Sequence, residues 1–171
     1  MILNVGCGGR PHDKACYYGD IRVDITHFPS VTALMDAHFL AFKDSVFDKI
    51  VCFEVLEHLD SPIKALKEFK RVLKTNGEII ISVPNVWYWR RITRALFEKQ
   101  KNFRESPEID HKQAWDIYEF YNLADQVGLK IANVKWLDWY ARKHKLNFLD
   151  KILKSVIPQI GYTHVYFRLK S

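Results

Sequence analysis

An apolar run, Ile2-Leu3-Asn4-Val5, leads directly into Gly6-Cys7-Gly8-Gly9. A strand that ends in closely spaced glycines brings backbone amides up to a ligand where side chains would block it, so this turn is a candidate site for a nucleotide-like cofactor. Two acids stand at the ends of the next short apolar segments: Asp24 after Ile21-Arg22-Val23, and Asp36 after Val31 to Met35. A carboxylate at the first position can accept hydrogen bonds from the two hydroxyls of a ribose, and one at the second from the exocyclic amine of an adenine. A phosphate cradle is missing. The dinucleotide fingerprint GxGxxG would place its third glycine at position 11, which is Pro11. Its ring and missing amide hydrogen oppose the close helix–strand packing that glycine permits. No Gly-Lys-Ser/Thr follows the turn, so the Walker phosphate loop fails as well. Taken singly, each Asp fits a turn or a cap at least as well. Together, the glycine turn and two acids at strand ends describe an adenosine site without phosphates.

Such residues converge only if successive strands present them at one edge, and the chain does read as strand, loop, helix, strand. Residues 10–18 leave room for only one or two helical turns, begun at Pro11, instead of a full crossover helix. Phe47 to Phe53 is short and largely apolar, as expected of a central strand buried on both faces. Ser61 as N-cap and Pro62 at the first helical position open a helix that Asn76-Gly77 closes. Ile63, Leu66, Phe69, Val72 and Leu73 form its apolar face, and Lys64, Lys67, Lys70, Arg71 and Lys74 point outward. Ile79 to Val83 is a strand closed by Pro84-Asn85. A second helix starts near Asp116, with Glu119 placed for a capping box, and ends at Gly128. Strands around Ile131 to Leu137 and Val165 to Leu169 complete an alternation that predicts an α/β fold, a mostly parallel sheet with helices on both faces.

Length and composition agree. A chain of 171 residues with 48% hydrophobic content holds one sizeable core, so a single domain is expected over residues 1–171. The apolar runs are shorter than the roughly 18 residues a spanning helix needs, and no basic n-region precedes an apolar h-region, which predicts a soluble, cytoplasmic protein. Cys7, Cys16 and Cys52 are odd in number and lack CxxC spacing, which indicates neither a disulfide framework nor a zinc site; buried, reduced thiols are expected. Charge is uneven: residues 1–85 carry 10 Lys and Arg against 11 Asp and Glu, and residues 86–171 carry 16 against 9. The basic second half suits an anionic partner such as nucleic acid, or simply a solvated surface.

With these residues in view, the chain resembles the class I S-adenosylmethionine-dependent methyltransferases. The resemblance rests on Leu3-Asn4-Val5-Gly6-Cys7-Gly8-Gly9, Val23-Asp24-Ile25, Met35-Asp36-Ala37-His38, Phe47-Asp48-Lys49-Ile50, Val55-Leu56-Glu57-His58-Leu59 and Lys74-Thr75-Asn76-Gly77-Glu78 with Val83-Pro84-Asn85. Asp110-His111 and Gln126-Val127-Gly128-Leu129 continue it more loosely. It implies a seven-stranded Rossmann-like sheet, parallel except for an inserted antiparallel last strand, and S-adenosyl-L-methionine as cofactor. By this resemblance Gly6, Cys7 and Gly8 pack on the methionine part, Asp24 binds ribose, Asp36 binds adenine with backbone help from Ala37, and Phe53 and Glu54 border the reacting methyl. The chain opens on its first strand and the segment after the glycine turn is short, so an open cofactor pocket is expected. Residues 1–85 read as the cofactor-binding half and 86–171 as the acceptor-side half.

Methyl transfer from a sulfonium asks a protein to align donor and acceptor, exclude water and, for some acceptors, take a proton. Glu57, His58 and His111 are the catalytic candidates; as an alternative, Glu57 and His58 cap their turn and His111 is a surface residue. His12 and His38 read as loop residues. Residues 86–110 open with Trp87-Tyr88-Trp89-Arg90-Arg91-Ile92-Thr93-Arg94-Ala95-Leu96-Phe97. Their place after the fifth strand suits a lid over an acceptor, and the stripe Trp89, Ile92 and Leu96 suits packing on the core equally well. A second basic stretch, Tyr140-Ala141-Arg142-Lys143-His144-Lys145, precedes an amphipathic run from Leu146 to Ile157. A small or lipid-like acceptor is the leading expectation; RNA or protein methylation through the basic half, and a non-catalytic cofactor-binding module, are the alternatives.

Overall fold

The computed structural model describes residues 1–8, 14–97, 110–138 and 148–170. Seven strands form one sheet: β1 (Ile2–Val5), β2 (Ile21–Asp24), β3 (Ala33–Leu34), β4 (Phe47–Phe53), β5 (Leu73–Pro84), β6 (Lys130–Leu137) and β7 (His164–Lys170). Their order is β3-β2-β1-β4-β5-β7-β6, with β7 antiparallel to both β5 and β6 and all other pairs parallel. The chain runs outward from β1 to β3 and then returns to lay β4 on the opposite side of β1. Open α/β sheets bind ligands outside the carboxyl ends of strands at such a reversal.

The central strands are apolar because both their faces are covered: Leu3, Ile50, Cys52, Ile79 and Ile81 are all fully buried. Helix α1 (Pro62–Val72) buries Ala65, Leu66, Phe69 and Val72, and burying each large side chain contributes about 1.5–3 kcal/mol. Besides α2 (Trp89–Phe97), the helices are α3 (Ile117–Gln126), α4 (Phe148–Val156) and the short α5 (Pro158–Gly161). Phe120 of α3 stacks on Phe167 of β7 with ring centroids 3.8 Å apart. Its N-terminus carries the expected capping box: Asp116 accepts from the Glu119 amide and Glu119 from the Asp116 amide. Gly128, at φ +66°, turns the chain from α3 into β6.

Four expectations are corrected. Ser61 makes no side-chain cap; its amide donates instead to His38 Nε2 at 3.3 Å. Helix α1 stops at Val72, not at Asn76-Gly77, because Leu73 already pairs with Phe47 as the first residue of β5. Gly77 has a separate reason: a Cβ there would lie 2.6 Å from Leu73 Cδ1. Lys70 and Arg71 do not simply face water. Lys70 Nζ donates to the carbonyls of Val127 and Gly128 at the end of α3, where a cation is favoured. Arg71 donates to the carbonyls of Leu40 and Phe42 and pairs with Glu68 and Asp44. After β1, a 3-10 turn spans Lys14–Tyr17, held by Asn4 Nδ2 donating to the carbonyls of Ala15 and Tyr18. Pro11, where the helical turns were expected to begin, lies outside the described residues.

Candidate active site

The glycine turn caps β1. Gly6 and Gly8 have φ of +69° and +65°, the left-handed region that glycine adopts without strain. The two glycines have different reasons to be glycine. At Gly6 a Cβ would stand 2.2 Å from Val55 Cγ2, and its amide already donates to Val23 O at 2.8 Å, so packing excludes a side chain there. At Gly8 a Cβ would meet no atom within 4 Å among the described residues. Cys7 between them is buried, and burial pushes its thiol pKa up.

Asp24 closes β2 and braces the turn: Oδ2 accepts from the Gly8 amide at 2.8 Å and Oδ1 from the Thr26 amide at 2.9 Å. Each oxygen keeps a second lone pair to accept from a hydroxyl. Asp36, beyond β3, accepts at Oδ1 from the His38 amide and from His38 Nδ1, at 2.8 and 2.6 Å. Those His38 hydrogen bonds, the backbone one foremost, hold the Asp36 carboxyl below its ordinary pKa. The Ser61 amide donates to Nε2 of the same ring. His38 therefore bridges Asp36 and the start of α1 and is not a plain loop residue, while Ala37 beside it is buried.

Beyond β4 the environment changes. Phe53 lies against Tyr166 with ring centroids 5.6 Å apart. Glu54 takes φ +55°, which costs a residue with a side chain roughly 1–2 kcal/mol. Its Oε1 accepts from Ser82 Oγ at 2.7 Å, and Oε2 lies 3.0 Å from His164 Nε2. Three residues on, Glu57 is 1% exposed, and neither carboxylate oxygen has a hydrogen-bond partner among the described residues. Burial, joined by the nearby Glu54 carboxylate, pushes its pKa up to about 8.

The strap that carries His111 is stitched to this turn. Lys112 and Gln113 amides donate to Glu57 O at 2.7 and 3.0 Å, and Lys112 Nζ pairs with Asp60 at 2.6 Å. His58 Nδ1 lies 3.2 Å from Asp110 O, and the His58 and His111 rings meet edge-to-face with centroids 4.8 Å apart. Glu57, His58 and His111, the three catalytic candidates, are thus brought together.

Helix α2 has no buried residue, and Leu96 and Phe97 are 70% and 82% exposed, so the expected apolar stripe does not pack on the core at Leu96. Asp150 of α4 ties down the start of α2, accepting from Trp89 Nε1 at 2.7 Å and Arg90 Nη2 at 2.9 Å. The rest of the expected lid, residues 98–109, and the basic stretch 140–145 lie outside the described residues.

Strand order, the antiparallel β7 and the rim from Gly6 to Asp36 define the Rossmann-like fold of the class I methyltransferases. Residues 3–81 match the family described as a methyltransferase domain. A structure of a SAM-dependent methyltransferase from Archaeoglobus fulgidus superposes with a TM-score of 0.69 at 16% identity, covering 99% of this chain and 85% of that one. An uncharacterized Methanocaldococcus jannaschii protein is 34% identical over 50% of this chain and 41% of its own length. A tRNA U34 carboxymethyltransferase from Nautilia profundicola is 27% identical over 81% of this chain and 48% of its own. The chain thus spans less than half the length of either relative. The rim fits S-adenosyl-L-methionine, the cofactor this fold implies, in two respects: no atom of the described residues stands where a Gly8 side chain would be, and Asp24 retains acceptor capacity toward a ribose. No helix among the described residues is long and apolar enough to cross a membrane.

Proposed function

We propose that this chain transfers a methyl group from S-adenosylmethionine to an acceptor bound beside Glu57, His58 and His111. The observation that carries the reading is the juxtaposition along one rim of two environments: a glycine turn braced by Asp24, and a buried carboxylate without a hydrogen-bond partner among the described residues, flanked by two imidazoles. The cofactor, when bound, supplies an activated methyl on a sulfonium. Gly6, Cys7 and Gly8 border its methionine part, Asp24 holds the ribose, and Asp36 with Ala37 receives the adenine. Phe53 and Glu54 border the reacting methyl, with Glu54 fixed by Ser82 and His164. The Glu57 cluster holds the reacting atom of the acceptor.

RNA is the acceptor class we favour. Residues 86–171 carry the whole basic excess of the chain, and a relative named for tRNA modification aligns over 81% of it. A small or lipid-like acceptor remains the second reading because Trp87, Leu96 and Phe97, in the stretch that follows β5, present apolar side chains to solvent. Calorimetry with S-adenosylmethionine tests the cofactor site, and absence of binding to the folded protein refutes the proposal. Affinity for unmodified tRNA measured against salt tests the acceptor: a steep fall with rising salt supports RNA, and no binding at low salt refutes it.

A further inference from the structure

The structure assigns a divalent transition-metal site to Glu57, His58 and His111, resting on the proposed acceptor role of this cluster and saying how the cluster performs it. One ligand atom from each of the three residues lies within 4.8 Å of the other two. Metal–nitrogen and metal–oxygen bonds of about 2.0–2.2 Å close that span with modest rotation of the side chains. The second observation is independent of the cluster itself: Glu57 is 1% exposed, and both its oxygens lack a hydrogen-bond partner among the described residues. A buried carboxylate is ordinarily hydrogen-bonded, paired with a cation or bound to a metal, because leaving it bare is costly.

The surroundings match what a ligand set needs. His58 Nδ1 faces the Asp110 carbonyl at 3.2 Å, which fixes the tautomer and leaves Nε2, 4.0 Å from Glu57 Oε1, with its lone pair. A backbone carbonyl on the far nitrogen is the usual outer partner of a ligating imidazole. The strap bearing His111 cannot drift from the turn bearing Glu57, since two amide hydrogen bonds to Glu57 O join them. Neighbouring Glu54 is occupied by Ser82 and His164 and is not part of the set.

Two imidazoles and one carboxylate suit a first-row transition cation such as Zn²⁺ or Co²⁺ better than Mg²⁺ or Ca²⁺, which prefer all-oxygen shells. Three protein ligands leave coordination positions open, and His58, 44% exposed, sits on the solvent side where an oxygen of the acceptor can enter. The cation then neutralises Glu57 and orients the acceptor oxygen, and His58 acts as a ligand.

The test is titration of the chelator-stripped, full-length chain with Co²⁺ and with Zn²⁺, without methyl donor, so that its outcome is independent of cofactor binding and methyl transfer. Expected are 1:1 stoichiometry, micromolar or tighter affinity, and weakening of roughly tenfold or more in Glu57→Gln and in His111→Gln, with exposed His27→Gln unchanged. If a variant fails to fold, ring ¹⁵N shifts in the wild-type chain decide the matter: Zn²⁺ must move the His58 and His111 signals. Wild-type affinity retained in a folded Glu57→Gln or His111→Gln variant, no 1:1 binding at micromolar metal, or shifts confined to other histidines overturns the assignment.

Discussion

Glu57, in the turn after β4, and Asp150, in the clasp between α2 and α4, are both buried carboxylates, 1% and 5% exposed. Their surroundings are opposite. Asp150 gives one oxygen to the Trp89 indole and the other to Arg90, while Glu57 has neither oxygen matched among the described residues. Their acidities diverge accordingly. At Asp150 burial raises the pKa, but the hydrogen bonds from Trp89 and Arg90 with the Arg90 charge outweigh it, and the carboxyl lies below its ordinary value. At Glu57 burial acts almost unopposed. A buried acid with its partners in place is part of the scaffold; one held dry without them is poised for something the chain does not itself supply.

The largest effect should come from Asp150→Ala. It leaves the Trp89 indole N–H and the Arg90 guanidinium unmatched, and chemical denaturation should show a loss of about 1–3 kcal/mol. Arg90 is 38% exposed and can turn to water, which keeps the loss from being larger. A loss indistinguishable from zero removes the structural half of the contrast. Next in size is Asp24→Ala. Asp24 resembles Asp150 in bracing its own chain, but it keeps acceptor capacity at the rim. Calorimetry should show S-adenosylmethionine binding weakened at least tenfold, about 1.4 kcal/mol. Unchanged affinity would make Asp24 a second scaffold acid. Glu57→Gln should go the other way from Asp150→Ala: in chelator-stripped protein no hydrogen-bond partner among the described residues is lost, and above about pH 8, where the acid would ionise, a costly buried charge is removed. Stability should stay level or rise by up to about 1 kcal/mol. A loss comparable to that of Asp150→Ala would mean that Glu57 has a partner after all.

The glycine turn and its two acids were readable in the sequence because their logic is local. A glycine turn ends one strand and an acid ends each of the next two, and those offsets survive folding as Gly8, Asp24 and Asp36 on one rim. Even there the reason for Gly6 was not readable, since Val55, which excludes its side chain, lies 49 positions on and enters only when β4 docks beside β1. Strand β4 was legible to the residue because the buried stretch Ile50 to Cys52 leaves an apolar run, with Phe47 and Phe53 at its ends. Helix α1 was legible in type but not in ends, because a tertiary pairing, Leu73 with Phe47, stops it before its Asn-Gly signal. Glu57 could be named as a candidate but not recognised as buried, because the strap that covers it arrives more than 50 residues later. His164, which fixes Glu54, and Asp150, which looks like one acid on an amphipathic run, carry no local signal at all. Their roles depend on residues 110 and about 60 positions away.

The smallest effect is the pH dependence of the Asp150 clasp, and its sign follows from the direction of the shift. The folded-state pKa lies below the ordinary 3.8, so between the two values the unfolded chain holds more protons than the native one. The stabilisation from the clasp is therefore complete above the ordinary pKa and is lost as pH falls through the lowered one. It does not change between pH 6 and 8. In Asp150→Asn the shape of the side chain is kept and the titration is gone, so its melting temperature should fall less steeply than that of the wild type from pH 5 to pH 3. Hydrogen exchange at the α2 amides should report the same difference, because Trp89 and Arg90 are the contacts released. Asp36, Glu68 and Asp48 also titrate below their ordinary values, through His38, Arg71 and Lys74 with the N-terminal amine, and they contribute to the acid loss common to both proteins. Equal acid slopes in wild type and Asp150→Asn would assign all of that loss to Asp36, Glu68, Asp48 and their neighbours. Asp150 would then be as indifferent to its partners as Glu57 is bare of them, and the contrast between the two buried acids would fail at its better-satisfied end.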